Sequence, residues 1–346
     1  MPSNYSSLRL VNPQHTGFMA TTAPVQSFVG RKITPRISVD CPDYIGQIFV
    51  DTHVSFMGTP QSLVMTPGVP LATMTTANPS SVTYTCVPYG LASTGIAKLG
   101  AARSQLPDDL RNREFRALRA ALEIAEEVRY ATLYQTAGNF TTTAACTALA
   151  TGVQWSAAGA QPVADLRAYI NTVRKAAHGT LPNTLIMPYD VAVAVGRTPE
   201  LRGYAYFTGA GAVAASMSMG VESVAEILGR ELGLNVVIAG GRYNTANLAQ
   251  AHTEAEIWTD TCWLGCLMAN AAVSGTSIRT VNTAVLGVDE ISSLAEVGLG
   301  SVGVYGAGVD EIAPSQGNVW VPFVQHSADE LVISADLGAT ITDCLA

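Results

Sequence analysis

Two quoted runs decide the fold: PVADLRAYINTVRKAAHGTLPNTLIMPYDVAVAVGRTPELRGY (162–204) and VESVAEILGRELGLNVVIAGGRY (221–243). Together they read as helix, strand, helix, helix, strand. Pro162 opens a helix whose Leu166, Tyr169, Ile170, Val173 and Ala177 fall on one face, and Gly179 stops it. Thr184–Met187 is a short buried strand. Asp190 is placed to cap the next helix, and Thr198 before Pro199 starts another turn. Val221, Val224, Ala225, Leu228 and Leu232 form a further helical stripe ended by Gly233, and Asn235–Ala239 reads as a second buried strand. So much regular structure with so few reactive groups points to a protein whose task is to be a shape.

The chain has 346 residues, of which 48% are hydrophobic and 13% charged. Soluble domains carry about 25% charged residues. The mean hydropathy of +0.24 agrees with that deficit. A monomer so poor in charge cannot cover its surface, so the chain either enters a membrane or buries itself against its own copies. Its best apolar run, Cys262–Val273, falls short of the roughly 20 residues a spanning helix needs. The first twenty residues lack the apolar core of an export signal. The reading is a cytosolic, self-associating protein.

Net charge is −8, which argues against nucleic-acid binding by the whole molecule. Its distribution is uneven. Arg9, Arg31, Lys32 and Arg36 precede the first acid, Asp40. Such a basic arm would touch nucleic acid, touch the acidic body of a neighbouring copy, or be neutralised locally. The six cysteines are scattered, and read as small buried thiols kept reduced.

Residues 1–30 read as an extended arm, followed by a strand that Pro35 confines to a sheet edge. Met57–Val82 has no Lys, Arg, Asp or Glu and contains the turn cluster Thr66, Pro67, Gly68. A long uncharged loop of this kind is expected to lie on another subunit. Leu110–Tyr134 is the longest helix. Ala117, Ala121, Ile124, Val128 and Ala131, widened by Leu118, Leu122 and Ala125, define its expected core stripe. Arg111, Arg113, Arg116 and Arg119 crowd the first half of the opposite face, and Glu123, Glu126 and Glu127 the second. That order opposes the helix macrodipole. The charges are therefore expected either to meet opposite bands on adjacent copies or to be solvated around an Arg119–Glu123 pair. Asp289-Glu290, Asp310-Glu311 and Asp329-Glu330 read as turn and edge charges that block unwanted strand pairing.

Motifs for reactive chemistry are incomplete in this chain. Gly298, Gly300 and Gly303 match the spacing of a dinucleotide fingerprint, but Gly306, Gly308 and Pro314 occupy the place of the required helix. Cys262 and Cys266 lack two further ligands at zinc spacing, and the histidines are dispersed. No catalytic, cofactor-binding or metal-ligating residues are expected, and the chain is not read as an enzyme.

The order of arm, uncharged loop, long charged helix, mixed domain and returning strands resembles the Hong Kong 97-like major capsid proteins of tailed bacteriophages. Phe28-Val-Gly-Arg-Lys-Ile-Thr-Pro35, Tyr84-Thr-Cys-Val-Pro-Tyr-Gly-Leu91, Gln154-Trp-Ser156, Pro182–Met187 and Ala335–Asp343 carry the resemblance. It implies an α+β fold with an arm (1–43), a strand and extended loop (44–92, the loop about 55–83), and a peripheral domain around a spine helix (93–159, helix 110–134). An axial domain (160–305) and a return to the peripheral domain (306–346) would follow. It also implies hexamers and pentamers in an icosahedral shell around double-stranded DNA, with the arm (Arg31, Lys32), loop and spine charges as assembly contacts. A separate scaffold, a portal and a cement protein are the implied partners, in a virion assembled in host cytoplasm. An encapsulin-like compartment shares the fold and is the alternative; a Thr/Ala/Gly-rich surface protein is the more distant one. The founding phage welds its subunits through a loop lysine. No Lys lies between Lys32 and Lys98 here, so that weld is not expected.

Overall fold

The computed structural model describes residues 9–11, 28–39, 45–50, 80–92, 96–97, 107–141, 148–207, 219–246, 251, 253–268, 276–283, 301–305 and 319–346. The Thr66–Gly68 cluster and most of the uncharged loop, together with Asp289-Glu290 and Asp310-Glu311, lie outside them.

The central stretch folds largely as its punctuation requires. After strands β1 (Arg9–Val11), β2 (Arg36–Ser38), β3 (Ile45–Val50), β4 (Ser80–Thr85), β5 (Val87–Ala92) and β6 (Ile96–Ala97), a short helical turn α1 (Gly30–Ile33) and the long helix α2 (Pro107–Gln135), it opens with α3 (Pro162–Ala176). Gly179, at φ 97°, lets its N–H reach back to the carbonyl of Arg174 at 2.7 Å, closing α3. Strand β7 (Thr184–Pro188) is buried at every position. Helices α4 (Tyr189–Val195), α5 (Pro199–Phe207) and α6 (Val221–Leu232) follow, then β8 (Asn235–Ala239). Asp190 sits in the first turn of α4 but caps nothing, because Pro188 holds the cap position. The start of α3 is instead capped from a distance: Glu200 on α5 accepts from the N–H groups of Val163 and Ala164 at 2.8 and 3.2 Å. Strand β8 is half-buried rather than buried, since it pairs only with β7 and forms the sheet edge.

The remaining strands are β9 (Arg242–Asn244), β10 (Glu254–Glu256), β11 (Cys262–Gly265), β12 (Ile278–Thr283), β13 (Ser301–Tyr305), β14 (Val319–Val332) and β15 (Gly338–Ile341). They sort into two principal sheets. The first runs β15-β11-β7-β8, antiparallel except for β7–β8. The second runs β1-β13-β14-β12-β2, with β5 and β6 also on the long β14. Strand β2 forms an edge, as Pro35 demanded, and β3 and β4 make a separate antiparallel pair.

Residues 80–85 form β4. β12 and β13 both pair with β14 in the second sheet. β15 goes back to β11, where Ala339 and Ile341 join the core of Leu166, Leu185, Val191, Val224 and Leu228. Ala339 and Ile341 are fully buried there, and burying such side chains outweighs proximity in sequence.

β11 separates two cores by strand alternation. Cys262 and Leu264 face the helices of the central stretch, while Trp263 faces α2 with Tyr130, Tyr134, Phe140 and Trp258. Cys262 opens this strand, and Cys266 follows its last residue, Gly265. Gly303 of the dinucleotide-like spacing lies in strand β13, and Gly298, Gly300, Gly306 and Gly308 lie outside the described residues.

Candidate assembly site: the arm clasped on the long helix

Helix α2 buries part of the stripe its apolar pattern suggested, with Ile124 and Val128 half-buried, and a charged strip beside it. Leu118, Leu122, Tyr130, Ala131 and Tyr134 are buried, and so are Arg119, Glu123, Glu126 and Glu127. Ala117, Ala121 and Ala125 are exposed. Alanine contributes little apolar area, so burial follows the larger side chains and the partners the arm supplies.

The arm segment 28–39 lies along those carboxylates. Glu127 accepts from Val29 N at 2.9 Å, from Gly30 N at 3.0 Å and from the Trp258 indole N–H at 2.8 Å. It serves as the cap for α1, whose own cap residue, Val29, has no side-chain oxygen. Gly30 is required by close approach: a Cβ there would lie 2.5 Å from Cβ of Tyr130. The Thr34 hydroxyl shares a hydrogen bond with Tyr134 at 2.9 Å. Arg36 donates to Glu126 at 2.8 Å and to the Tyr130 hydroxyl at 3.1 Å. Arg31 reaches Glu123 at 3.4 Å and Glu126 at 3.8 Å, and Arg119 donates to Glu123 at 2.7 Å.

A second cluster ties α2 to the sheet. Arg129 donates to both carboxylate oxygens of Glu330 at 3.0–3.2 Å and lies 3.8 Å above the Tyr89 ring, which stacks on His326. Asp329 accepts from Thr85 N at 2.7 Å. The Asp329-Glu330 pair is therefore no edge device. Both residues sit within β14, and their charge is used by α2 and β4.

Burial raises Glu127 and Glu330 above the ordinary carboxylate range, against the hydrogen bonds each accepts. Burial also opposes ionisation of Glu126, but Arg31 and Arg36 outweigh it and hold that group low. His326 is pushed down to about 4 by burial, reinforced by Arg129, Arg31 and Arg36 against Glu126. A histidine with a depressed folded pKa stabilises the fold above its unfolded value near 6.5, and that contribution fades as pH falls toward 4. Fully expressed, the depression corresponds to about 3 kcal/mol. Glu127 and Glu330, raised, act in the opposite sense at low pH. Comparison with His326→Gln isolates the histidine. Urea unfolding from pH 7.5 to pH 4.5 should show the wild type losing about 2 kcal/mol more than the variant. Parallel profiles would remove His326 from the account.

Of the residues expected to form assembly contacts, Arg31, Arg119, Glu123, Glu126 and Glu127 are brought together within one chain. Within the chain these groups pair with one another and with the Val29–Gly30 backbone. The basic arm is, at Arg31 and Arg36, neutralised locally. Arg113, Arg116 and Lys32 are exposed, and the side chain of Arg111 lies outside the described residues. Sequence reasoning missed Arg36, Arg129, Tyr130, Trp258, His326 and Glu330. One signal was present: Arg119, Glu123, Glu126, Tyr130 and Tyr134 recur at helical spacing beside Leu118 and Leu122.

Among the described residues no group of three or more His, Cys, Asp or Glu could hold a metal ion, and no helix is long and apolar enough to cross a membrane. No protein-family model and no curated protein matches the chain. Solved structures do. A phage-related protein from Bordetella bronchiseptica RB50 superposes with a TM-score of 0.65 at 16% identity, covering 97% of this chain and 98% of that one. The capsid of cyanophage P-SCSP1u gives 0.57 at 12% identity, over 93% and 89%. The mature capsid of bacteriophage PhiM1 gives 0.51 at 12%, over 93% and 88%.

The chain has the Hong Kong 97-like capsid fold.

In a Hong Kong 97-like frame, α2 stands as the spine helix, the β14 sheet as the peripheral layer, and β15-β11-β7-β8 with α3–α6 as the axial layer. The β3–β4 pair flanks residues 51–79 in sequence. The arm clasp described above fixes the arm to the spine within one subunit.

Proposed function

We propose that this chain is the major capsid protein of a tailed bacteriophage. It builds hexamers and pentamers that close into an icosahedral shell around double-stranded DNA, and it acts as a structural protein rather than an enzyme. The observation that carries this reading is the superposition, over nine-tenths of the chain or more, on two phage capsids. The low charge content supports it, because a shell subunit hides much of its surface in contacts. The acidic balance fits a container that touches packaged DNA weakly.

Subunit contacts are assigned to the exposed Arg113 and Arg116 with Arg111 on the spine, to Lys32 at the arm, and to the loop around Thr66, Pro67 and Gly68. A scaffold, a portal and a cement protein complete the assembly in host cytoplasm. Without a loop lysine, shell strength rests on burial and on such partners. Negative-stain electron microscopy with light scattering tests the reading on purified protein. Closed shells, or rings of five and six, are expected, and deletion of residues 58–82 should leave a soluble subunit that does not close shells. A monodisperse monomer that assembles under no salt, crowding or scaffold condition would overturn it.

A further inference from the structure

Cys262 and Cys344 are fully buried, and their Sγ atoms lie 3.8 Å apart. Cys262 opens β11, where its register partner is Ile341 on β15. Three residues later the chain returns to the same place. Asp343 adopts φ 55°, a left-handed turn that aims residue 344 back at β11. Backbone bonds hold it there: Cys344 N donates to the carbonyl of Asp260 at 3.2 Å, and the Cys344 carbonyl accepts from Trp155 N at 2.9 Å. The other described cysteines are apart from this pair. Cys86 lies 3.5 Å from the Val281 carbonyl, and Cys266 packs with Ala177 and Leu337.

A disulfide bond is about 2.05 Å long, so the two sulfurs must close by somewhat under 2 Å, within reach of side-chain rotation. We infer that Cys262 and Cys344 are a thiol pair that oxidises to an intrachain disulfide and clasps residues 342–346 onto the axial sheet. With glutathione disulfide as oxidant the chemistry balances. The Cys344 thiolate attacks one glutathione sulfur, releasing one glutathione and leaving a mixed disulfide. The Cys262 thiolate then attacks Cys344 Sγ and releases the second glutathione. Both protein thiols lose their protons, the pair is oxidised by two electrons, and one glutathione disulfide is reduced to two thiols. Cys344 is the residue exposed first, because it lies beyond the β15 ladder between the exposed Asp343 and Ala346 and opens with that segment. The bond would join positions 82 residues apart, a long loop whose closure restricts the unfolded chain. On the capsid reading above, the pair stays reduced during assembly in cytosol and locks after release into oxidising surroundings. That timing rests on the reading; the thiol chemistry does not.

The test uses the full chain. Protein equilibrated with glutathione disulfide is denatured, its remaining thiols are alkylated, and it is digested without reduction for peptide mass mapping. Expected is a dominant peptide joining Cys262 to Cys344, lighter by two hydrogens than the separate thiol peptides. A higher urea midpoint than the same protein kept in dithiothreitol should accompany it. Cys262→Ala and Cys344→Ala should each abolish both changes. Alkylation of both cysteines, glutathione retained at Cys344, linkage to another cysteine, or a midpoint that does not rise would each overturn the inference. The readout needs no variant to fold and no shell to form, so failure here and failure of the capsid reading are separable.

Discussion

Glu127→Ala should cost about 4 kcal/mol and release the arm. The substitution strips the acceptor from three donors, Val29 N, Gly30 N and the Trp258 indole N–H, all packed where water does not replace it. Each orphaned buried donor costs about 1–3 kcal/mol, partly offset because burial already disfavours the Glu127 charge. α1 also loses its cap, and with it the geometry that presents Arg31 and Arg36 to Glu123 and Glu126. Two measurements check this. Urea unfolding should show the loss, and limited trypsin digestion should cut after Arg31 or Lys32 far faster than in the wild type. Glu127→Gln, which keeps one acceptor oxygen, should fall between. Unchanged stability and an unchanged cleavage pattern in Glu127→Ala would mean that the arm is not held by this carboxylate.

Trp263→Ala should cost a similar amount, about 4 kcal/mol, by a different route. Its ring is fully buried, meets Tyr134 edge-on at 4.8 Å between centroids, and lies 6.3 Å from Phe140. It packs the β15-β11-β7-β8 sheet against the long helix together with Ile186 and Ala239, while β11 turns Cys262 and Leu264 the other way. Removing it leaves a cavity at the junction of the two layers that neither can collapse into alone. Its indole N–H has no partner among the described residues, so Trp263→Phe forfeits ring volume only and should lose less than half as much. The check is the urea midpoint of both variants, with near-ultraviolet circular dichroism reporting the aromatic cluster. Equal losses for Ala and Phe would point to the indole nitrogen rather than to packing.

The sequence by itself determined most of the central stretch. Pro162, Gly179, Pro199 and Gly233 punctuate it by local backbone chemistry that needs no distant partner, so α3, β7, α6 and their ends were readable. The length of α2 was readable for the same reason, and Pro35 marked β2 as an edge strand. Tertiary structure alone decided that the carboxylate strip of α2 is inside. Helical spacing shows that Glu123, Glu126 and Glu127 share a face. Whether that face meets water or protein depends on Arg31, Arg36 and the Val29–Gly30 backbone, roughly ninety residues away. A buried carboxylate and a solvated one have the same local pattern, and only a partner from elsewhere in the chain makes the buried state tolerable. The same holds for β15. Ala335–Asp343 was readable as a run carrying the family resemblance, and its place beside β11 was settled by which core had room for Ala339 and Ile341. Local rules fix where elements begin and end; the pairing of distant charges and surfaces fixes what they are for.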